Sequence, residues 1–185
     1  MAKIAKTELK KHLKECSVDE LVNELCKLSG LFPQVNEYFF AKYGGEAAAN
    51  ELLSQAKNTI DNEFFPLRGM PRMRISVAKR AISDFKKQCA DLAKIAELQL
   101  YYVSEVSEFV DCYGADESLC NTMYSVLEDY AEIAIKIEDE AVLKQFIPMI
   151  KKIEDISYRI GYGMDGFATN ILCDYGLPID EFDEE

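Results

Sequence analysis

YRIGYGMDGFATN, residues Tyr158 to Asn170, contains Gly-Tyr-Gly-Met-Asp-Gly and so satisfies the G-x-G-x-x-G pattern of dinucleotide-binding loops. How this stretch is read decides the fold class. A dinucleotide loop needs a β-strand before its glycines, a helix after them, and an acidic residue about 20 positions on to hold the ribose. Here the preceding FIPMIKKIEDISYRI spaces its apolar residues at helical intervals, and only 19 residues follow Gly166, too few to complete a βαβ unit. The stretch therefore reads as a hinge between two helices. Gly161 and Gly163 supply positive φ, Asp165 is expected to cap the last helix, and no nucleotide cofactor is expected.

Outward from this hinge the periodicity stays helical. A short helix is expected over about Thr7 to Glu15. Ser17 and Glu20 spell a capping box before a stripe of Leu21, Leu25 and Leu28. Pro33 suits the first position of a third helix, which ends at Gly44-Gly45. A fourth covers roughly Glu46 to Glu63. FFPLRGMPRMR (Phe64 to Arg74) is the clearest loop, with two prolines and a glycine within six residues. The long run from Ala78 to Tyr113 would measure about 54 Å as one helix, so it is divided near Gln88 to Ala90, with Asp91 as N-cap. Asp116 caps the next helix, and Pro148 either kinks its successor or begins a new one. The expected fold is all-α: antiparallel helical hairpins, eight or nine helices, in a closed bundle or a short solenoid-like stack. It is read as a single domain over 1–180, with subdomains 1–65 and 75–180 joined by the loop 66–74, and an acidic tail over 181–185.

The 185 residues are 49% hydrophobic and 29% charged, and no apolar run approaches the roughly 20 residues of a membrane span. The lysine-rich opening MAKIAKTELKKHLKE lacks the apolar core of a secretory signal, so a cytoplasmic protein is expected. None of the six cysteines forms a C-x-x-C pair, so they are expected to be small buried hydrophobes and not metal ligands. Net charge is −12, but residues 1–90 carry 15 Lys/Arg against 11 Asp/Glu, whereas residues 91–185 carry 6 against 22. This balance disfavours nonspecific nucleic-acid binding, leaves a local basic stretch from Arg68 to Lys87, and permits head-to-tail self-association.

No constellation of catalytic residues emerges. His12 is the only histidine and sits among Lys10, Lys11 and Lys14, which disfavour a further charge or a metal. Glu105 and Glu108, Glu128 and Glu132, and Glu138 to Glu140 share helical faces. Without Glu-x-x-His pairs they read as solvated acids, with a carboxylate metal site as the minor alternative. Arg68, Arg72, Arg74, Lys79 and Arg80 are the candidate partner contacts, because arginines on a proline-rich loop can grip carboxylate or phosphate. Tyr101 and Tyr102 are candidate anchors: being adjacent, they point to different faces, so at least one is expected to be partly exposed.

KTELKKHLKECSVDELVNELCKL with FPQVNEYF, RISVAKRAISDFKK with LQLYYVSEVSEFVDCYG, and ISYRIGYGMDGFATNILCDY together resemble a family of uncharacterised bacterial proteins catalogued only as a domain of unknown function. The resemblance spans nearly the whole chain. It implies motifs at Ala78 to Ile82, Tyr101 to Val103, Tyr113-Gly114 and Ile160 to Gly163. Its relatives carry I-G-W-G-F-H at the hinge, where this chain has Tyr162 and Asp165. The resemblance implies no activity. The leading expectation is a non-catalytic helical module that binds another protein, without cofactor or metal and away from membranes. The alternative is a nucleic-acid or anionic-ligand binder that uses the central basic stretch and the lysines Lys6, Lys10, Lys11 and Lys14.

Overall fold

A computed structural model describes residues 4–114, 116–161 and 163–177. Tyr162 and the acidic tail 181–185, both singled out in the sequence, lie outside the described residues. The described residues form ten helical segments and no strand: nine helices of eight residues or more and one of five. The fold is all-α. The chain divides into two compact units, Met1–Gly45 and Glu46–Glu185, so the division falls at Gly45 and the loop 66–74 lies inside the second unit.

The first unit contains α1 (Lys6–Glu15), α2 (Val18–Leu31) and α3 (Pro33–Tyr43). The capping box forms as the sequence predicts: Glu20 N–H donates to Ser17 Oγ at 3.3 Å and Ser17 N–H donates to Glu20 Oε2 at 2.8 Å. Only Phe32 separates α2 from α3, and the two helices pack on each other. The Leu25 stripe nevertheless does not become a core, since none of these three helices has a buried residue.

The second unit runs through α4 (Gly45–Phe64), α5 (Ile75–Gln88), α6 (Leu92–Tyr113), α7 (Glu117–Ala134), α8 (Glu140–Lys144), α9 (Ile147–Ile160) and α10 (Phe167–Asp174). Its centre is α6, in which twelve of 22 residues are buried. At 3.6 residues per turn these cover roughly two thirds of the circumference, so neighbours must enclose the helix on most sides. Helices α5, α7 and α9 pack on it. On α4, Phe64 sets its ring 6.0 Å from Tyr102 and 5.7 Å from Phe109. The remaining strip of α6 is polar and is tied to its neighbours: Lys57 on α4 meets Glu97 at 2.6 Å, Lys152 on α9 meets Glu108, and Arg159 meets Asp111 at 2.7 Å.

Local signals set the helix boundaries. Asp91 Oδ1 accepts from the amides of Ala93 and Lys94, and Asp116 Oδ1 from those of Ser118 and Leu119. Pro148 begins a new helix as the second residue of α9. At the hinge, Gly161 (φ 70°, ψ −139°) and Gly163 (φ 72°) adopt the positive φ expected of them. The cap of α10 differs from expectation, because Gly166, not Asp165, is the N-cap. Glu154 on α9 satisfies the exposed helix start: Oε2 accepts Ala168 N–H at 3.2 Å and Oε1 accepts the Thr169 hydroxyl at 2.9 Å. The cysteines also depart from expectation. Cys89 is buried, but Cys16, Cys26, Cys112 and Cys173 are exposed free thiols, since they sit on helix faces or ends that no core covers.

One polar group is left over inside. Gln99 is fully buried on α6, and among the described residues neither its amide nitrogen nor its oxygen has a hydrogen-bond partner. Leaving such a group unpaired is more costly than removing it. Gln99→Met should therefore stabilise the fold by about 1 kcal/mol, read as a higher urea midpoint at unchanged slope.

Candidate functional site

The loop 65–74 connects α4 to α5 and carries three of the sequence-selected arginines. Its exit is pinned by aromatic packing, with Phe65 5.9 Å from Phe109. Its return is pinned by Glu63, the penultimate residue of α4, whose side chain is 2% exposed. The Glu63 carbonyl accepts the amides of Arg72 and Met73, each at 3.0 Å. The Glu63 carboxylate accepts Arg74 N–H at 3.1 Å and Nε at 3.0 Å on Oε2, and Nη2 at 2.6 Å on Oε1. Five donors thus converge on one residue. The Arg74 hydrogen bonds hold the Glu63 carboxyl below its ordinary value against the opposing effect of burial. The loop reaches this closure through left-handed backbone at Gly69 (φ 89°) and, unusually for a non-glycine, at Met73 (φ 55°). Thr59, Asn62, Arg68, Met70, Arg72 and Arg74 line the resulting pocket of about 390 Å³.

The other selected residues are elsewhere. Lys79 donates to Ser125 Oγ at 2.9 Å in a cleft between α5 and α7, and Arg80 pairs with Asp84 at 3.3 Å on the outer face of α5. Tyr101 is half-buried: its hydroxyl donates to Asp61 Oδ1 at 2.6 Å and the Lys57 ammonium lies 4.8 Å from its ring centre. Tyr102 is corrected as a partner anchor. It is 0% exposed, its hydroxyl lies 3.0 Å from that of Thr122, and burial pushes its pKa up to about 12. The face of α6 that carries it is turned into the core.

Glu105 departs from the expected solvated acid. It is half-buried, with Asp61 of α4 and Glu108 of α6 repelling its charge and Lys152 of α9 favouring it. Desolvation and the two neighbouring acids raise its pKa from the ordinary 4.5 to about 7. Among the described residues no histidine shares this strip with it; the exposed thiol of Cys112, one turn beyond Glu108 on the same face, does. Among the described residues no three His, Cys, Asp or Glu side chains are arranged to hold a metal ion, and no helix is long and apolar enough to cross a membrane.

A feature not anticipated from the sequence lies in the first unit. Val22, Leu25, Cys26, Ser29, Phe39 and Tyr43 line a groove of about 370 Å³ between α2 and α3. Val18 is 74% and Tyr43 73% exposed, and Leu31, Phe32 and Phe40 are exposed as well. One signal was available in the sequence. Tyr38, Phe39, Phe40 and Tyr43 are spread around α3, so one buried face cannot hold them all. The four lysines of α1 also stand on a fully exposed helix.

These features define an all-helical protein with an arginine-lined loop pocket and a separate apolar groove, and without a recognisable catalytic constellation among the described residues. The chain belongs to a family of unknown function (DUF6155), whose model matches residues 4–165. No curated protein matches it, and no solved structure does.

Two carboxylates should respond oppositely to pH. Glu63 has a depressed folded pKa, so its stabilising contribution is complete above the ordinary 4.5 and is lost as pH falls through the folded value. Glu63→Gln should cost about 2 kcal/mol near neutral pH and flatten the acid limb of a stability–pH curve. Glu105 keeps its proton in the folded state up to about pH 7, whereas the unfolded chain releases it near 4.5, so stability falls as pH rises across that window. Glu105→Gln should accordingly stabilise by about 1 kcal/mol near pH 8 and by little near pH 5, as chemical denaturation at the two values would measure.

Proposed function

We propose that the protein is a non-catalytic interaction module that receives an amphipathic helix of another protein on the apolar face of α2 and α3. The observation that carries this reading is that helices α1 to α3 bury no side chain while exposing large apolar residues along α2 and α3. Covering a leucine or phenylalanine is worth about 1.5–3 kcal/mol, so a contiguous uncovered face is a source of binding energy. Val22, Leu25, Phe39 and Tyr43 offer a groove into which apolar residues at i, i+3 and i+4 of a helix would fit. The Lys42 ammonium lies 5.5 Å from the Tyr43 ring and 5.9 Å from the Tyr38 ring, which favours a partner helix flanked by an acidic residue. The six free cysteines suit a reducing compartment such as the bacterial cytoplasm, where we place this activity.

Affinity purification with the intact chain should recover a stoichiometric protein that Leu25→Glu/Tyr43→Glu loses, with helix content and urea midpoint unchanged. Both substituted side chains are exposed, which makes the fold control informative. Equal recovery by the variant, or a wild-type chain that stays monomeric and alone, would refute the proposal. A concentration-dependent dimer abolished by the variant would assign the groove to a second copy instead.

A further inference from the structure

Cationic side chains line three pockets of the second unit, and in two of them their charge is largely answered. Between α6 and α9, Lys152 pairs with Glu108 and Arg159 with Asp111. Between α5 and α7, Lys86 pairs with Asp129 at 3.6 Å, Lys87 with Asp84 at 2.8 Å, and Lys79 bonds Ser125. The loop pocket is different. Glu63 takes the charge of Arg74, whereas Arg68 and Arg72 both line the cavity with no ion pair among the described residues. Arg72 adds only a longer-range attraction to Glu63, whose carboxylate oxygens are already engaged by Arg74.

We propose that Arg68, Arg72 and Asn62 form a binding site for a phosphate-type oxyanion, presented as the phosphomonoester of a small molecule. A phosphomonoester carries about −1.5 to −2 charges at neutral pH, matching two guanidinium groups; a carboxylate needs only one, as the Glu63–Arg74 pair illustrates. Asn62 donates one amide hydrogen to the Asn58 carbonyl at 2.7 Å and keeps a second for a ligand. Thr59 spends its hydroxyl hydrogen on the Gln55 carbonyl at 2.9 Å, so it shapes the wall without donating. The cavity of about 390 Å³ suits a small ligand. The loop is held in advance by the five bonds to Glu63, and its left-handed Met73 persists because that closure fixes it. A long polyanion would meet the rest of a chain with net charge −12, which favours one phosphoryl group over nucleic acid.

The test is titration calorimetry of the intact chain at low ionic strength with inorganic phosphate and, separately, phenyl phosphate, with acetate as the carboxylate control. Both phosphates should bind saturably and acetate should not compete. Arg68→Gln/Arg72→Gln should weaken phosphate at least about tenfold while leaving the urea midpoint in place, and Arg80→Gln, removed from this pocket, should leave it unchanged. Amide shifts in a nitrogen-15 spectrum should centre on residues 62–74. No saturable phosphate heat, equal affinity in the double variant, or equally strong acetate binding would overturn the site; so would duplex DNA competing more strongly than phenyl phosphate. None of these readouts involves the α2–α3 groove, so the two proposals fail independently.

Discussion

The second unit is organised by the composition of one helix. In LAKIAELQLYYVSEVSEFVDCY the buried positions leave only a narrow arc for polar side chains, and a helix of that kind is stable only when enclosed. The polar arc is itself used. Pairings such as Lys57–Glu97 and Asp61–Tyr101 advance together along α4 and α6, and Glu108–Lys152 and Asp111–Arg159 do the same along α6 and α9. Helices α4, α6 and α9 therefore run in one direction, with α5 and α7 as the intervening returns. The apolar face gives the stabilisation, and the polar strip limits the register in which α4 and α9 can lie.

The register matters because α4 must end where its last turn is buried. That places Glu63 out of water, and a carboxylate there is tolerable only with partners. The loop provides them, so a surface connection is fixed by an acid at the edge of the core. Glu105 shows the same side-chain chemistry with the opposite outcome. Its nearest charges are mostly acidic, so burial is not offset and the proton is retained toward neutral pH. Two glutamates with opposite pKa shifts in one helical array differ in which charges neighbouring elements bring to them, not in burial alone.

That distinction explains what was legible in the sequence. Ser17–Glu20, Asp91, Asp116 and the positive-φ glycines of the hinge are local devices whose partners lie within four residues, and each is where the sequence places it. Glu63 acts on a residue eleven positions away, and Glu154 on residues fourteen and fifteen away, so no local pattern announces either. The cap of α10 departs from the sequence expectation for this reason: Asp165 has the right residue type, but the tertiary partner comes from α9. The adjacency of Tyr101 and Tyr102 shows that the two rings face different surroundings, while only packing tells which one enters the core. The arginine loop was legible as a basic, proline-punctuated segment. Its separation into one neutralised arginine and two without an ion pair among the described residues was not, because that depends on Glu63.

The leucine spacing of α2 raises a different limit, since periodicity identifies a face that wants covering and does not identify the cover. Helices α1, α2 and α3 have 10, 14 and 11 residues. Isolated helices below about 12–15 residues are marginal in water, and helices of proteins owe most of their stability to packing. The capping box and the α2–α3 contact offset part of that deficit, but no buried side chain supplies the rest. Helical order in this unit and occupancy of its apolar face are therefore linked by mass action: whatever covers Leu25, Phe39 and Tyr43 also stabilises the helices that present them. The second unit carries its own core and has no such dependence.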